Sequence, residues 1–328
     1  MKVRVVGAVA LVASLLLAST AAQAQTLLKF GHDSPTDIPY HTAAEYFKER
    51  VERETEGRVN VQIFPNAQLG DEATLVSGLS LGSVDVTITS IAPISELVPE
   101  VELYNLPFLF RDVDHAVSVA NGEVGAMLKE KIEPAIMGQV VAWGSLGERD
   151  MWNSQRPIAN VADLKGLKMR IQQSATQQNT YEALGALPTP VPFTELYTAL
   201  QTGVVDGADN GPLDVVTGFY QVTKYLTLTR HFIVLNPVMI SDKALARLEE
   251  RDREIVLAAL VDSAQVLTDD TKAKTDAAVE QLKEYGLEIS ELTPESRQAF
   301  IEAVSGVLDS NADRVGGRAI IDSVLAAP

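Results

Sequence analysis

The sequence contains no cysteine. That removes a disulfide framework, a thiol nucleophile and the acylated cysteine by which a lipoprotein is tethered. Cations are also scarce: 27 Lys and Arg stand against 44 Asp and Glu, a formal charge of −17. Phosphate backbones demand a basic face, so nucleic acid is excluded as a partner. Neither G-x-G-x-x-G nor G-x-x-x-x-G-K-[ST] occurs, which leaves nucleotide cradles without support. The four histidines, His32, His41, His115 and His231, form no H-E-x-x-H or other close ligand pair. Beyond the first residues, no run is apolar enough to cross a bilayer.

What is present begins with a leader. Lys2 and Arg4 precede an apolar run over residues 5–18, and Ala22-Gln23-Ala24 supplies a small-residue cleavage site. Residues 1–24 therefore read as a secretory signal, and the destination without a lipid anchor is the periplasm. Removing the two leader cations takes −17 to −19. About 300 residues remain, more than one core supports, so two lobes are expected.

Apolar periodicity alternates between strand and helix along both halves. Residues 27–31, 58–64 and 84–89 read as strands, with helices over 41–55 and 72–81 between them. Asp71 is placed to cap the second helix and Gly82 to end it. Residues 112–131 form an amphipathic helix and 139–144 a strand, followed by Ser145-Leu146-Gly147-Glu148-Arg149. A polar, Pro-bearing stretch at 153–160 marks a crossing to the second half. There 167–171, 187–191 and 204–208 are strands, and Ser174 and Thr194 head two helices. Short strands at 226–229 and 233–235 lead back, and 254–285 runs without Pro or Gly as a rod long enough to brace both lobes. Ser241 and Thr293 cap further helices. The architecture expected is α/β with a mostly parallel sheet. Lobe I comprises residues 25–147 and 236–275, and lobe II residues 148–235 and 276–328.

Three patterns invite a chemical reading. Gly78-Leu79-Ser80-Leu81-Gly82 matches the G-x-S-x-G elbow of serine hydrolases, yet a helix precedes Ser80 and a strand follows it, the reverse of what an elbow needs. His32, Asp33, Asp37 and His41 share one segment, but Pro35, Pro39 and a helix start separate them. A loop and helix cap is the reading adopted, with neither metal nor cofactor. Arg170 ends one short strand and Asn210 follows another, where open α/β sheets collect ligands. A planar guanidinium there suits a carboxylate, and spacing alone leaves this seat level with a surface ion pair.

Several spaced blocks then carry a resemblance: F-P-N-A-Q-L-G at 64–70, G-S-V-D at 82–85, L-P-F-L-F at 106–110, D-L-K-G-L-K-M-R at 163–170 and Y-T-A-L-Q-T-G-V-V-D-G at 197–207. In this order they resemble the DctP-type solute-binding proteins of TRAP transporters. The resemblance implies a non-enzymatic, two-lobed periplasmic binding protein that closes by a hinge on an organic acid. It implies delivery to TRAP permease membrane subunits, driven by an ion gradient. It also implies that Arg170 holds the ligand carboxylate, with Asn210 and Arg149 beside it and Asp33, Glu72, Ser90 and Phe193 lining the cleft. Gly147 and Glu148, next to Arg149, complete the candidate set. Ser90 departs from the acid that sialic-acid-binding relatives carry, which argues against that ligand. Glu72 and Asp33 would repel an anion unless they face hydroxyls, so a sugar acid such as a hexuronate is expected, acting on a monomeric receptor. The alternatives are a C4-dicarboxylate, for which Arg149 would supply the second cation, and a secreted hydrolase using Ser80 or the His/Asp loop. The Gln-rich stretch 172–178 also departs from the family pattern and receives no role.

Overall fold

The computed structural model describes residues 25–328, and the expected leader at 1–24 lies outside the described residues. Nine strands form one sheet: Thr26–Gly31 (β1), Val59–Phe64 (β2), Val86–Ile88 (β3), Gly138–Asn153 (β4), Lys168–Ile171 (β5), Leu187–Pro190 (β6), Gly207–Asn210 (β7), Tyr225–Ser241 (β8) and Glu288–Glu291 (β9). Their order is β2-β1-β3-β8-β4-β7-β5-β6, with β9 on β8. Within each half the short strands are parallel, β1 with β2 and β3, β5 with β6 and β7. The long strands β4 and β8 run antiparallel through both halves and join them.

That join corrects the expectation of short strands ending at Gly144 and beginning again at 226 and 233. Both long strands are buried on two faces over most of their length, so no apolar-polar alternation marks them. Ser145 and Gly147 read as loop residues because the register shifts between them, and Gly147 has φ +87°. A bulge of this kind bends a strand without ending it.

Apolar side chains cover both faces of each half. On one side of the first half Leu75, Leu79, Tyr104, Ile132 and Trp143 pack together, and on the other Phe30, Phe47, Val61, Leu260 and Leu267. In the second half Met169, Tyr181 and Phe300 lie on one face, and Trp152, Leu196, Leu200 and Phe219 on the other. The result is two α/β/α lobes sharing the β4/β8 pair. The 35-residue helix Glu250–Glu284 packs on both lobes: Val256, Leu260 and Ala278 join the first lobe's core and Leu282 the second's. Each such burial of a Val or Leu is worth about 1.5–3 kcal/mol, which fastens the brace at both ends. Among the described residues no helix is long and apolar enough to cross a membrane.

Local chemistry explains most element ends. The Asp71 side chain accepts from Thr74 N and Gly82 adopts φ +80°, so helix Glu72–Leu81 starts and stops as expected. Ser174, Ser241 and Thr293 cap their helices in the same way. Thr194 does not: helix Phe193–Gln201 starts after Pro192 with no side-chain cap. The single helix expected over 112–131 is two, Val113–Asn121 and Glu123–Ile136, because Gly122 is extended and a side chain at Gly125 would strike the Ala120 carbonyl at 1.7 Å. The strand expected at 204–208 lies at Gly207–Asn210, since Val204 N and Val205 N close the preceding helix onto Ala199 O. The loop expected over 90–107 contains helix Ala92–Leu97 and a 3-10 turn at Pro99–Asn105. The last helix, Arg318–Ala326, falls in the stretch assigned to lobe II, yet Ile320, Ile321 and Val324 pack into the first lobe's core and His115 Nε2 lies 3.1 Å from Val324 O.

Candidate functional site

The carboxyl ends of β1, β3, β5 and β7 meet beside the β4/β8 crossing. Asp33 follows β1, Ser90 follows β3, Arg170 lies near the end of β5 and Gln172 just after it, Asn210 ends β7, and Arg149 projects from β4. Helix Glu72–Leu81 adds Glu72 at its first position, and Phe193 opens the helix after β6. One pocket gathers Asp33, Glu72, Ser90, Arg149, Arg170, Phe193 and Asn210, and adds Tyr40, Gln172 and Asp214. A second pocket continues it outward through Asp33, Glu72, Arg170, Gln172 and Phe193 toward Pro192 and Glu96.

The two arginines are held differently. Arg149 donates Nε to Asp209 Oδ2 at 3.0 Å and Nη2 to Oδ1 at 2.8 Å, a two-point ion pair with both partners buried. His231 Nε2 lies 3.2 Å from the same Asp209 oxygen. Burial alone would raise the Asp209 carboxyl, but Arg149 and the His231 contact outweigh it and hold the group well below the usual carboxylate range. Arg149 is thus already neutralised, and its remaining Nη1 reaches Gln172 Oε1 at 3.3 Å. Arg170 is 2% exposed and donates only Nε, to Val191 O at 2.7 Å, among the described residues. Burial first, and the Arg149 charge second, push its guanidinium down to about 10, which leaves it cationic at neutral pH. The unengaged Nη edge of Arg170 is the free two-point donor of the cleft.

Around it stand three carboxyl groups, Asp33 and Asp214 buried and Glu72 half-buried. Glu72 accepts from Ser90 N and, at 2.6 Å, from Ser90 Oγ, while Gln172 Nε2 donates to the same hydroxyl at 2.9 Å. Burial raises Glu72 against those hydrogen bonds. Burial and the Glu72 charge drive Asp33 well up, and burial pushes Asp214 up to about 6. A pocket of this kind prefers groups that donate hydrogen bonds, except at Arg170.

Gly147 and Glu148 are not brought into this cleft. Successive side chains of a strand face opposite ways, so Arg149 and Glu148 part company. Gly147 and Glu148 line a separate cavity of about 300 Å³ with Asp112, Asp150 and Lys272. Glu148 pairs there with Arg230 at 3.1 Å, and Lys272 pairs with Asp114. Although larger, this cavity has no free cation among its described lining residues and repels an anion. Asp150, 3% exposed, is pushed up by burial to about 7 while accepting Arg230 N at 3.0 Å. A carboxyl raised on folding binds its proton more tightly in the folded chain, so stability declines as pH rises from about 4 toward 7. Asp150→Asn keeps the acceptor and removes that penalty. It is expected to melt above the parent at pH 8 and level with it near pH 4. Equal melting at both would show that Asp150 carries no penalty.

The patterns set aside as chemistry are placed as well. Ser80 lies in the last turn of its helix and donates to Ser77 O at 2.8 Å. His32 and His41 meet at 3.1 Å, but Asp33 turns into the cleft, and among the described residues no three His, Asp or Glu side chains are arranged to hold a metal ion. Tyr40, Asp209 and Asp214 are site residues that sequence reasoning missed. Gln172 belonged to the Gln-rich stretch that departed from pattern, which was its only signal. Asp214 sits in the first turn after Pro212, where an acid reads as ordinary helix-end chemistry.

A family model described as bacterial extracellular solute-binding protein, family 7, of DctP type, matches residues 30–314. The chain belongs to this family. This solute-binding protein is 34% identical over 318 residues to the C4-dicarboxylate-binding periplasmic protein DctP of Rhodobacter capsulatus, covering 96% of this chain and 94% of that one. It superposes with TM-score 0.89 on the sugar acid binding protein DctPAm of Advenella mimigardefordensis in complex with galactonate, at 31% identity over 92% of this chain and 97% of that one. A TRAP periplasmic solute binding protein of Sulfurospirillum deleyianum with bound succinate matches equally well, with TM-score 0.89, 30% identity and coverage of 93% and 100%. The solute-binding protein therefore shares the two-lobed TRAP receptor fold with relatives named for two different classes of acid.

Proposed function

We propose that the protein is a periplasmic receptor for a polyhydroxylated monocarboxylate, a sugar acid such as a hexuronate or an aldonate, which it delivers as a monomer to TRAP permease membrane subunits. One observation carries the choice: Arg149 is consumed by Asp209, so Arg170 is the one arginine in the cleft with an open edge. Glu72, Asp33, Asp214 and the Asn210 carbonyl face the same space and suit hydroxyl donors. Closure is proposed about the bulged crossing at Gly147, between a first lobe of residues 25–147, 236–275 and the last helix 318–326 and a second lobe of 148–235 and 276–317.

A C4-dicarboxylate is the second reading. It is favoured by the Rhodobacter relative and by the Arg149 Nη1 edge, which would serve as a second cation if Gln172 moved aside. A thermal-shift and calorimetry panel separates the two with galactonate, glucuronate, succinate and malate. A ligand at 100 times its Kd stabilises by about 2.7 kcal/mol. Sugar acids are expected to raise the melting temperature and the C4 acids to leave it within error. The converse result establishes the dicarboxylate reading, and a flat panel together with turnover of esters would return the protein to the hydrolases.

A further inference from the structure

Tyr40 lines the cleft with Asp33 and Glu72, buried in the first turn of helix Pro39–Glu54. Its hydroxyl accepts a hydrogen bond from Asn236 Nδ2, which lies in β8 where the two lobes join. Two backbone groups fix the orientation of that amide. Asn236 Oδ1 accepts Leu146 N at 2.8 Å inside the β4 bulge, and Nδ2 donates to Thr89 O at 3.1 Å as well as to Tyr40. A backbone N–H only donates and a carbonyl only accepts, so the NH2 end must be the one that faces Tyr40. The Tyr40 oxygen therefore receives a proton from Asn236 and keeps its own to give. Among the described residues no protein acceptor takes that proton. Burial first, then the Glu72 and Asp33 charges, hold the hydroxyl well above its ordinary value, so it stays protonated. A ligand carboxylate brought to this donor would lie against Glu72 and Asp33. An alcohol oxygen in the same place accepts from Tyr40 and has a proton of its own for those carboxyl groups.

We propose that Tyr40 is a specificity residue whose hydroxyl donates to one alcohol oxygen of the bound acid, in a direction set by Asn236. This rests on the receptor reading above and gives Tyr40 a task apart from that of Arg170, which seats the carboxylate. A methylene at that point leaves the Tyr40 proton unpaired in a buried cleft, and the cost of that falls on the ligand that lacks the oxygen.

The test is a cycle that deletes the hydroxyl of the residue and the hydroxyl of the ligand separately and together. Calorimetry at pH 7.5 on the full mature chain compares the parent with Tyr40→Phe, using galactonate and each of its single-deoxy analogues, and in parallel malate and succinate. Phenylalanine keeps the ring packing, and Asn236 Nδ2 keeps Thr89 O, so the variant alters the donor alone. For galactonate, Tyr40→Phe is expected to lose about three- to tenfold in affinity, the range of one neutral hydrogen bond. For one deoxy analogue that loss should vanish, because the partner oxygen is already gone, while the other analogues keep it. A structural role would weaken every ligand by the same factor. The same loss across all analogues, or parental affinity for galactonate in the variant, overturns the proposal. If only the C4 acids bind, the sugar-acid reading fails and malate against succinate decides Tyr40: a loss on Tyr40→Phe confined to malate upholds its role, and any other pattern overturns it. If no acid binds the parent, both readings fall.

Discussion

Arg170→Ala is expected to cost roughly 3–5 kcal/mol of ligand affinity, a hundredfold to a few thousandfold in Kd, because it leaves a bound carboxylate buried without its partner. Arg170 is 2% exposed, and its Nε is spent on Val191 O, so the Nη edge is what remains for the ligand. Lysine will not substitute: one ammonium offers a point charge where the guanidinium offers two parallel donors and a third for the backbone. Misfolding will not explain the loss. A cation whose pKa is pushed down on folding is destabilising while charged, and that penalty is fully present below its folded value of about 10. At pH 7 the ligand-free alanine variant should therefore melt no lower than a loss of side-chain packing dictates, while calorimetry shows binding reduced by the stated factor. Parental affinity in the alanine variant would remove Arg170 from the site.

The elements that were legible in the sequence are those whose signals are local. Helix Glu72–Leu81 was readable at both ends because a capping aspartate and a left-handed glycine are written into the chain at Asp71 and Gly82. The seat at Arg170 was readable because a cation after a strand stands out in an acidic chain, and the family blocks then set Arg149, Asn210, Asp33, Glu72, Ser90 and Phe193 near it. What was not legible depends on which way a neighbouring strand faces. Nothing in the sequence near Glu148 says that it turns away from the cleft while Arg149 turns in. Nothing near Asp209 says that it will meet an arginine 60 residues earlier and cancel it. The joining strands were hidden for a related reason: a strand buried on both faces and bulged at Ser145 and Gly147 has neither alternation nor a clean end. The Gln-rich stretch acquires a reason only in three dimensions. Gln172 links Arg149 to Ser90, and Gln177 and Ser174 meet Asn105, so the segment ties the two lobes by hydrogen bonds.

Asp209→Asn is expected to have the second large effect, and to have it on stability and selectivity together. Asp209 is wholly buried and compensates Arg149 at two points while His231 leans on the same oxygen. Removing one member of a buried pair costs about 3–5 kcal/mol, because the other charge stays behind unpaired. For a chain of this length that corresponds to a fall in melting temperature of roughly 6–15 °C. The sign with pH follows from the depressed carboxyl. Its stabilisation is complete above the unfolded value near 4 and is lost as pH falls through the lower folded value, so parent and variant should converge in strong acid. The selectivity effect is the sharper discriminator. With Asp209 neutral, Arg149 becomes a second open cation across the cleft from Arg170, and a dianion gains what a monoanion does not. Succinate should then stabilise the variant more than galactonate does, the reverse of the parent. A variant that is destabilised but keeps the parental preference would show that Arg149 does not set the charge of the ligand, and the choice between one carboxylate and two would pass to Glu72, Asp33 and Asp214.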